Sequence, residues 1–146
     1  MDILSITIII FCIMEFSNVV VLYFFTDYKI ANSVAFFDTW DKIKKEEDTK
    51  LFGYYMVYWV AGVKLIFIFL LLIIAFLGSE LLKIFAIISM ILSISTYFFK
   101  LHHIIKKLDE MNKITPKNYS KILDNMIMFF LLMFSFSLFI YYINLK

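Results

Sequence analysis

The chain has 146 residues, of which 63% are hydrophobic and 20% aromatic, while only 18% are charged. A soluble domain of this length cannot hide that much apolar surface, which excludes a water-soluble globular fold. The formal net charge of +2 is too small to point to nucleic acid. The apolar excess lies in long runs, and about 20 such residues let a helix cross roughly 30 Å of hydrocarbon. No period-two alternation supports a membrane β-barrel. The expectation is an all-α integral membrane protein, a four-transmembrane-helix bundle forming one domain over 1–146.

The first span covers Ile3 to Phe25, with Ser5, Thr7, Glu15, Ser17 and Asn18 as its polar members. A cleaved signal peptide would open on a positive n-region and end at small residues, whereas this stretch follows Met1-Asp2 and has no A-x-A-like site, so it is expected to stay as a membrane helix. Its Cys12 is the single cysteine and allows no intramolecular disulfide.

Between spans one and two, "NSVAFFDTWDKIKK" (32–45) offers Ser33 as an N-cap and then Val34, Phe37, Trp40 and Ile43 at helical spacing. This predicts an amphipathic helix over 33–45 lying in the membrane interface. The second span, 51–77, contains one charge, Lys64, and ends in the unbroken run "LIFIFLLLIIAFL". A tight "GSE" turn (78–80) leads to the third span, 81–99, on which Ser89, Ser93 and Thr96 share a helical face. Small hydroxyl residues at that spacing let helices approach closely and predict a packing face; a polar pathway is the alternative.

The third helix is expected to continue beyond the membrane, because Leu101, Ile104, Leu108 and Met111 keep helical spacing until "ITPKNYS" interrupts it. His102 and His103 point about 100° apart on a helix and cannot share one metal ion without bending it, so they read as solvated or headgroup-contacting residues and no metal site is expected. Ser120 is the expected cap of the fourth span, 122–143. Asp124 and Asn125 open that span, where a carboxylate near a helix N-terminus is electrostatically favoured.

Orientation follows from the lysines, which make up all 14 basic residues. Eleven fall in the two segments between spans one and two and between spans three and four, against Lys83 and Lys146 on the other side. Short cytoplasmic loops carry the basic excess, so both termini are expected outside a plasma (cytoplasmic) membrane and the lysine-rich loops inside.

Glu15 and Lys64 carry the functional question. Ionisable residues at membrane depth are rare, face the protein interior or a wet cavity, and usually pair. Glu15 lies near the middle of its span, and Lys64 is placed about one turn beyond the Tyr54, Tyr55, Tyr58 and Trp59 belt, some ångströms nearer the cytoplasm. Asn18, one helical turn from Glu15 on the same face, completes an expected Glu15–Asn18–Lys64 polar cluster that the long lysine stem would have to reach. No zinc-ligand spacing, nucleophile elbow or phosphate-cradling glycine loop accompanies it, so no catalytic residue and no cofactor is assigned. Three function classes follow. The first is an interaction or accessory protein that assembles with itself or another membrane protein. The second is an oligomeric transporter or pore, holin-like included, with Glu15 as a protonatable or cation-binding group. The third is a lipid-modifying enzyme using Glu15 as acid or base. Membrane lipids are the one partner common to all three.

Overall fold

A computed structural model describes residues 1–144; Lys146, counted above among the outer lysines, lies outside them. The described residues form six α-helices: α1 Ile3–Phe24, α2 Asp38–Ile43, α3 Glu47–Leu77, α4 Glu80–Ser95, α5 Leu101–Glu110 and α6 Tyr119–Asn144. Four helical stretches are long and apolar enough to cross a membrane: α1, α3, α6, and the run Glu80–Glu110 that holds α4 and α5.

α1 is the hub and contacts α3, α4 and α6. Its packing on α3 is antiparallel and regular, each step up one helix matched by a step down the other. The Ser5 hydroxyl donates to the Ala75 carbonyl at 2.9 Å, the Cys12 thiol approaches the Ile68 carbonyl at 3.9 Å, and the Tyr23 and Tyr58 rings stack at 5.1 Å. The buried Ala61 and Ala75 of α3 leave room for this approach. On its other side α1 sets Phe11 edge-on against Phe130 and Phe134 of α6, at 5.1 and 5.2 Å, while Ile87 and Met90 of α4 complete the core.

The turn between α3 and α4 depends on Gly78. A Cβ there would stand 2.4 Å from the Ile74 carbonyl oxygen, which already accepts the Gly78 amide, and backbone cannot move aside cheaply. Ser79 then caps α4 by accepting from the Leu82 amide.

Three local expectations are corrected. The segment 33–45 is not one amphipathic helix: Ser33 caps a single 3₁₀ turn, Val34–Phe36, and Phe37 is extended before α2 begins. The reason is tertiary pairing, since Phe37 forms an antiparallel bridge with Ile114, the Asp38 amide donates to the Lys113 carbonyl at 3.0 Å, and the Thr115 amide donates to the Phe36 carbonyl at 2.8 Å. The two lysine-rich segments are thus joined to each other. Trp40, expected on the apolar face of an interfacial helix, is buried against Tyr54, and Gly53 permits it, because a Cβ there would meet Trp40 and Ile43 at 3.1 and 3.0 Å.

The third helix is likewise interrupted, by a 3₁₀ turn over Thr96–Phe98 and a bend at Lys100. In α5 it is Ile105 that packs inward beside Tyr97, Tyr119 and Leu123, while Leu101, Ile104 and Met111 of the predicted stripe stay exposed. Finally, Ser120 does not cap α6. The cap is the Asp109 carboxylate of α5, which accepts from the Asn118 amide at 3.0 Å and from the Ser120 amide and hydroxyl at 3.0 and 2.6 Å; a carboxylate is the better match to the positive end of a helix.

Candidate functional site

Glu15 lies midway along α1 and Lys64 midway along α3, in step with the contacts on either side of them. Their side chains meet as an ion pair, Nζ to Oε2 at 2.7 Å. The expected offset in depth is absent: Glu15 stands twelve residues from the start of α1 and Lys64 thirteen from the end of α3, so at about 1.5 Å per residue the two are nearly level. The lysine stem has no gap to bridge. Both side chains are partly buried, at 30% exposure for Lys64 and 18% for Glu15.

Asn18 is beside the pair but is not bonded to it. Its Oδ1 is buried without a hydrogen-bond partner among the described residues. Asn18 and Glu15 both line two adjoining cavities of about 240 and 180 Å³, which also share Asn32, Leu123, Met126 and Phe130. The larger reaches Met14, Ser17 and Ile122, which are exposed on α1 and α6, so the cleft opens sideways between those helices. The smaller has Lys64 and Tyr97 on its wall.

The other candidates are dispersed. Ser89, Ser93 and Thr96 lie outside the bundle core: α4 packs inward through Lys83, Ile87 and Met90, while all three hydroxyl residues are exposed and Ser89 and Ser93 line a groove of about 350 Å³ against α3. The packing face expected there is not one within this chain. Asn125 is exposed. His103 is exposed, its ring 5.4 Å from that of His102.

His102 and Asp124 do come together. Asp124 Oδ1 accepts from the Tyr97 hydroxyl at 2.7 Å and lies 2.9 Å from His102 Nδ1, which ties the bend after α4 to the second turn of α6. A histidine backed by a carboxylate is the base half of an acid–base catalyst. No serine, threonine or cysteine hydrogen-bonds to that ring among the described residues. Among the described residues no three His, Cys, Asp or Glu side chains converge as a metal site would require.

Two further polar centres were missed by sequence reasoning. At the end of the bundle where α1 begins, Asp2 caps α1 by accepting from the Ser5 amide at 2.7 Å and pairs with the buried Lys83 at 2.7 Å. Partial burial pushes the Asp2 carboxyl up, but Lys83 and the Ser5 amide and hydroxyl outweigh it and hold the group at about 2, below the ordinary 3.8. At the opposite end Asp27 accepts from Trp40 Nε1 at 2.9 Å and from the Tyr54 hydroxyl at 2.6 Å, and pairs with Lys44 at 3.2 Å. Its burial is likewise outweighed, by Tyr54, Trp40 and Lys44, and its pKa is lowered. The Tyr119 hydroxyl donates to Asn32 Oδ1 in the same region. A signal for the first centre was available, because Asp2 and Lys83 are isolated opposite charges at the same end of neighbouring spans; Asp27 and Asn32 depend on loop folding that no periodicity reveals.

These features define a small all-helical protein whose four long apolar helices are compatible with a membrane protein. Compared with known proteins, the chain matches no family, no curated protein and no solved structure.

Proposed function

We propose that this chain is a small integral membrane protein of the interaction or accessory kind, assembling with itself or with another membrane protein, and that its Glu15–Lys64 pair fixes the register of α1 on α3. The observation that carries this reading is the pair itself: each charge is neutralised by the other at 2.7 Å, in step with the regular contacts along both helices. A buried polar pair is best attested as a device for register and partner choice. The smaller cavity beside it is walled mainly by Leu, Ile, Met and Phe, which suits packing better than a water-filled path. Large apolar side chains such as Phe69, Phe76 and Phe136 remain exposed for lipid or a partner.

The deciding experiment is function in the Glu15→Gln/Lys64→Met double variant. A structural pair predicts that the double variant retains its oligomeric state, any co-purifying partner and its growth phenotype. The second reading, an oligomeric transporter or pore, is favoured by Glu15 lining both cavities, and predicts a folded but inactive double variant. A stable monomer with no partner would count against both.

The proposed orientation, termini outside and lysine-rich loops in the cytoplasm of a plasma membrane, rests on the lysine distribution. Cysteines introduced at Ser79 and Asn144 are expected to react with a membrane-impermeant thiol reagent in intact cells, and one at Thr49 is not. Reaction at Thr49 alone would invert the orientation.

A further inference from the structure

The cleft between α1 and α6 has a gradient of polarity along the bundle axis. Towards the lysine-rich end it is lined by Asn18, Asn32 and Tyr119; deeper, by Met14, Met126 and Phe130, with the mutually neutralised Glu15–Lys64 pair at the level of Met14. Its mouth, between the exposed Met14, Ser17 and Ile122, faces the direction in which lipid would lie. Polar groups towards the headgroups and apolar ones towards the midplane repeat the order of groups along a lipid in that leaflet. A partner helix, apolar along its length, would not need this order.

The chemistry of the polar part narrows the headgroup. Glu15 and Lys64 cancel each other, so the cleft carries no net charge, and a charged headgroup would bring an unpaired ion to membrane depth. Asn18 offers a buried Oδ1 acceptor that no described residue satisfies. A buried polar group left unpaired is destabilising, and an incoming partner relieves it. Asn32 accepts from Tyr119, and no described residue accepts from its amide N–H groups. Such amides suit a headgroup that donates through a hydroxyl and accepts through carbonyls. At about 240 and 180 Å³ the cavities are small beside usual ligand pockets of about 300–1,000 Å³, which fits a headgroup with its chains left in the bilayer.

We propose that the α1–α6 cleft is a binding site for a neutral glycerolipid of the diacylglycerol class, with its free hydroxyl and ester carbonyls at Asn18 and Asn32 and its acyl chains leaving past Met14 and Ile122. The proposal goes beyond the accessory reading and does not depend on it, because it is tested on the purified protein whatever its partners.

The test is photolabelling of the full chain in phosphatidylcholine vesicles containing a diacylglycerol with a photoreactive group in one acyl chain. Labelling is expected on peptides carrying Met14–Asn18 and Ile122–Phe130. Dioleoylglycerol should compete, while its hydroxyl methyl ether and dioleoyl phosphatidate should compete at least about fivefold less well, about the worth of one net hydrogen bond. Asn18→Leu is expected to lower labelling by a similar factor. Equal competition by the methyl ether would reduce the cleft to a non-specific greasy surface and overturn the proposal. Stronger competition by phosphatidate would also overturn it, as would cross-links at these positions to a second protein chain in place of lipid. The competition series uses the unaltered protein, so it decides even if Asn18→Leu fails to fold.

Discussion

Among the lysine–carboxylate pairs of the described residues, Glu15–Lys64 and Asp2–Lys83 each have a separation of 2.7 Å. They differ in what surrounds them. Asp2 precedes its helix and is held by the Ser5 amide and hydroxyl as well as by Lys83, so its charge has several partners and the positive end of α1 besides. Glu15 lies mid-helix, and Lys64 is its one hydrogen-bonding partner among the described residues. Equal distances therefore carry unequal dependence: removing a partner leaves Asp2 supported and leaves Glu15 stranded in the middle of the bundle.

The largest expected effect follows from that. Glu15→Gln and Lys64→Met alone each strand or unbalance a charge, at a cost of roughly 3–5 kcal/mol where a pair is truly sequestered, and the double variant is expected to recover much of it. The measurement is thermal stability in detergent across the double-mutant cycle. Additive losses would mean that the two sites act independently, and would erase the contrast with Asp2–Lys83. A mild Lys64→Met beside a severe Glu15→Gln would instead indicate that Lys64 reaches the interface on its own.

Next in size is Gly78→Ala. It forces a Cβ into the Ile74 carbonyl at the turn that carries Lys83 towards Asp2, with an expected loss of about 1–3 kcal/mol, the usual cost of overpacking. Stability unchanged by this substitution would show that the turn can be rebuilt without Gly78.

Asp2→Asn is expected to cost about 1–2 kcal/mol: asparagine still caps the helix, but the buried Lys83 loses its counter-charge. The pH dependence has a fixed sign. The Asp2 carboxyl is depressed to about 2 from the ordinary 3.8, so its contribution is fully present above 3.8 and is lost as pH falls through that interval towards 2. Asp2→Asn should flatten the stability profile there. Salt sharpens the comparison further: if water reaches the end pair and not the mid-bundle pair, only the end pair weakens between about 0.01 and 1 M ionic strength. Equal salt sensitivity would place both in the same environment.

The smallest effect is expected at Ser93. It is exposed on α4 away from both pairs, so Ser93→Ala should change thermal stability by less than about 0.5 kcal/mol. A larger loss would restore the packing role expected of the hydroxyl stripe, with the contact made by a second chain.

The sequence by itself determined the membrane-type architecture, because four apolar runs of sufficient length leave a helix few other places to be, and the boundaries fall where charge begins. It also singled out Glu15 and Lys64, since an ionisable residue in such a run is conspicuous whatever it touches. Their common level along the bundle was decided by tertiary structure: depth counted from the aromatic belt placed Lys64 too near the loops, whereas packing starts the register from the short Gly78 turn. Only tertiary structure could also break the predicted 33–45 helix. Periodicity there describes a helix in isolation, but the backbone of Phe36 and Asp38 finds hydrogen bonds on the distant Lys113–Thr115 segment, and Trp40 finds Asp27 and Tyr54. The same holds for the cleft, for Asp109 as the cap of α6, and for Asp124 beside Tyr97 and His102. Each joins residues far apart in the chain, and local spacing carries no information about which distant polar group will stand opposite.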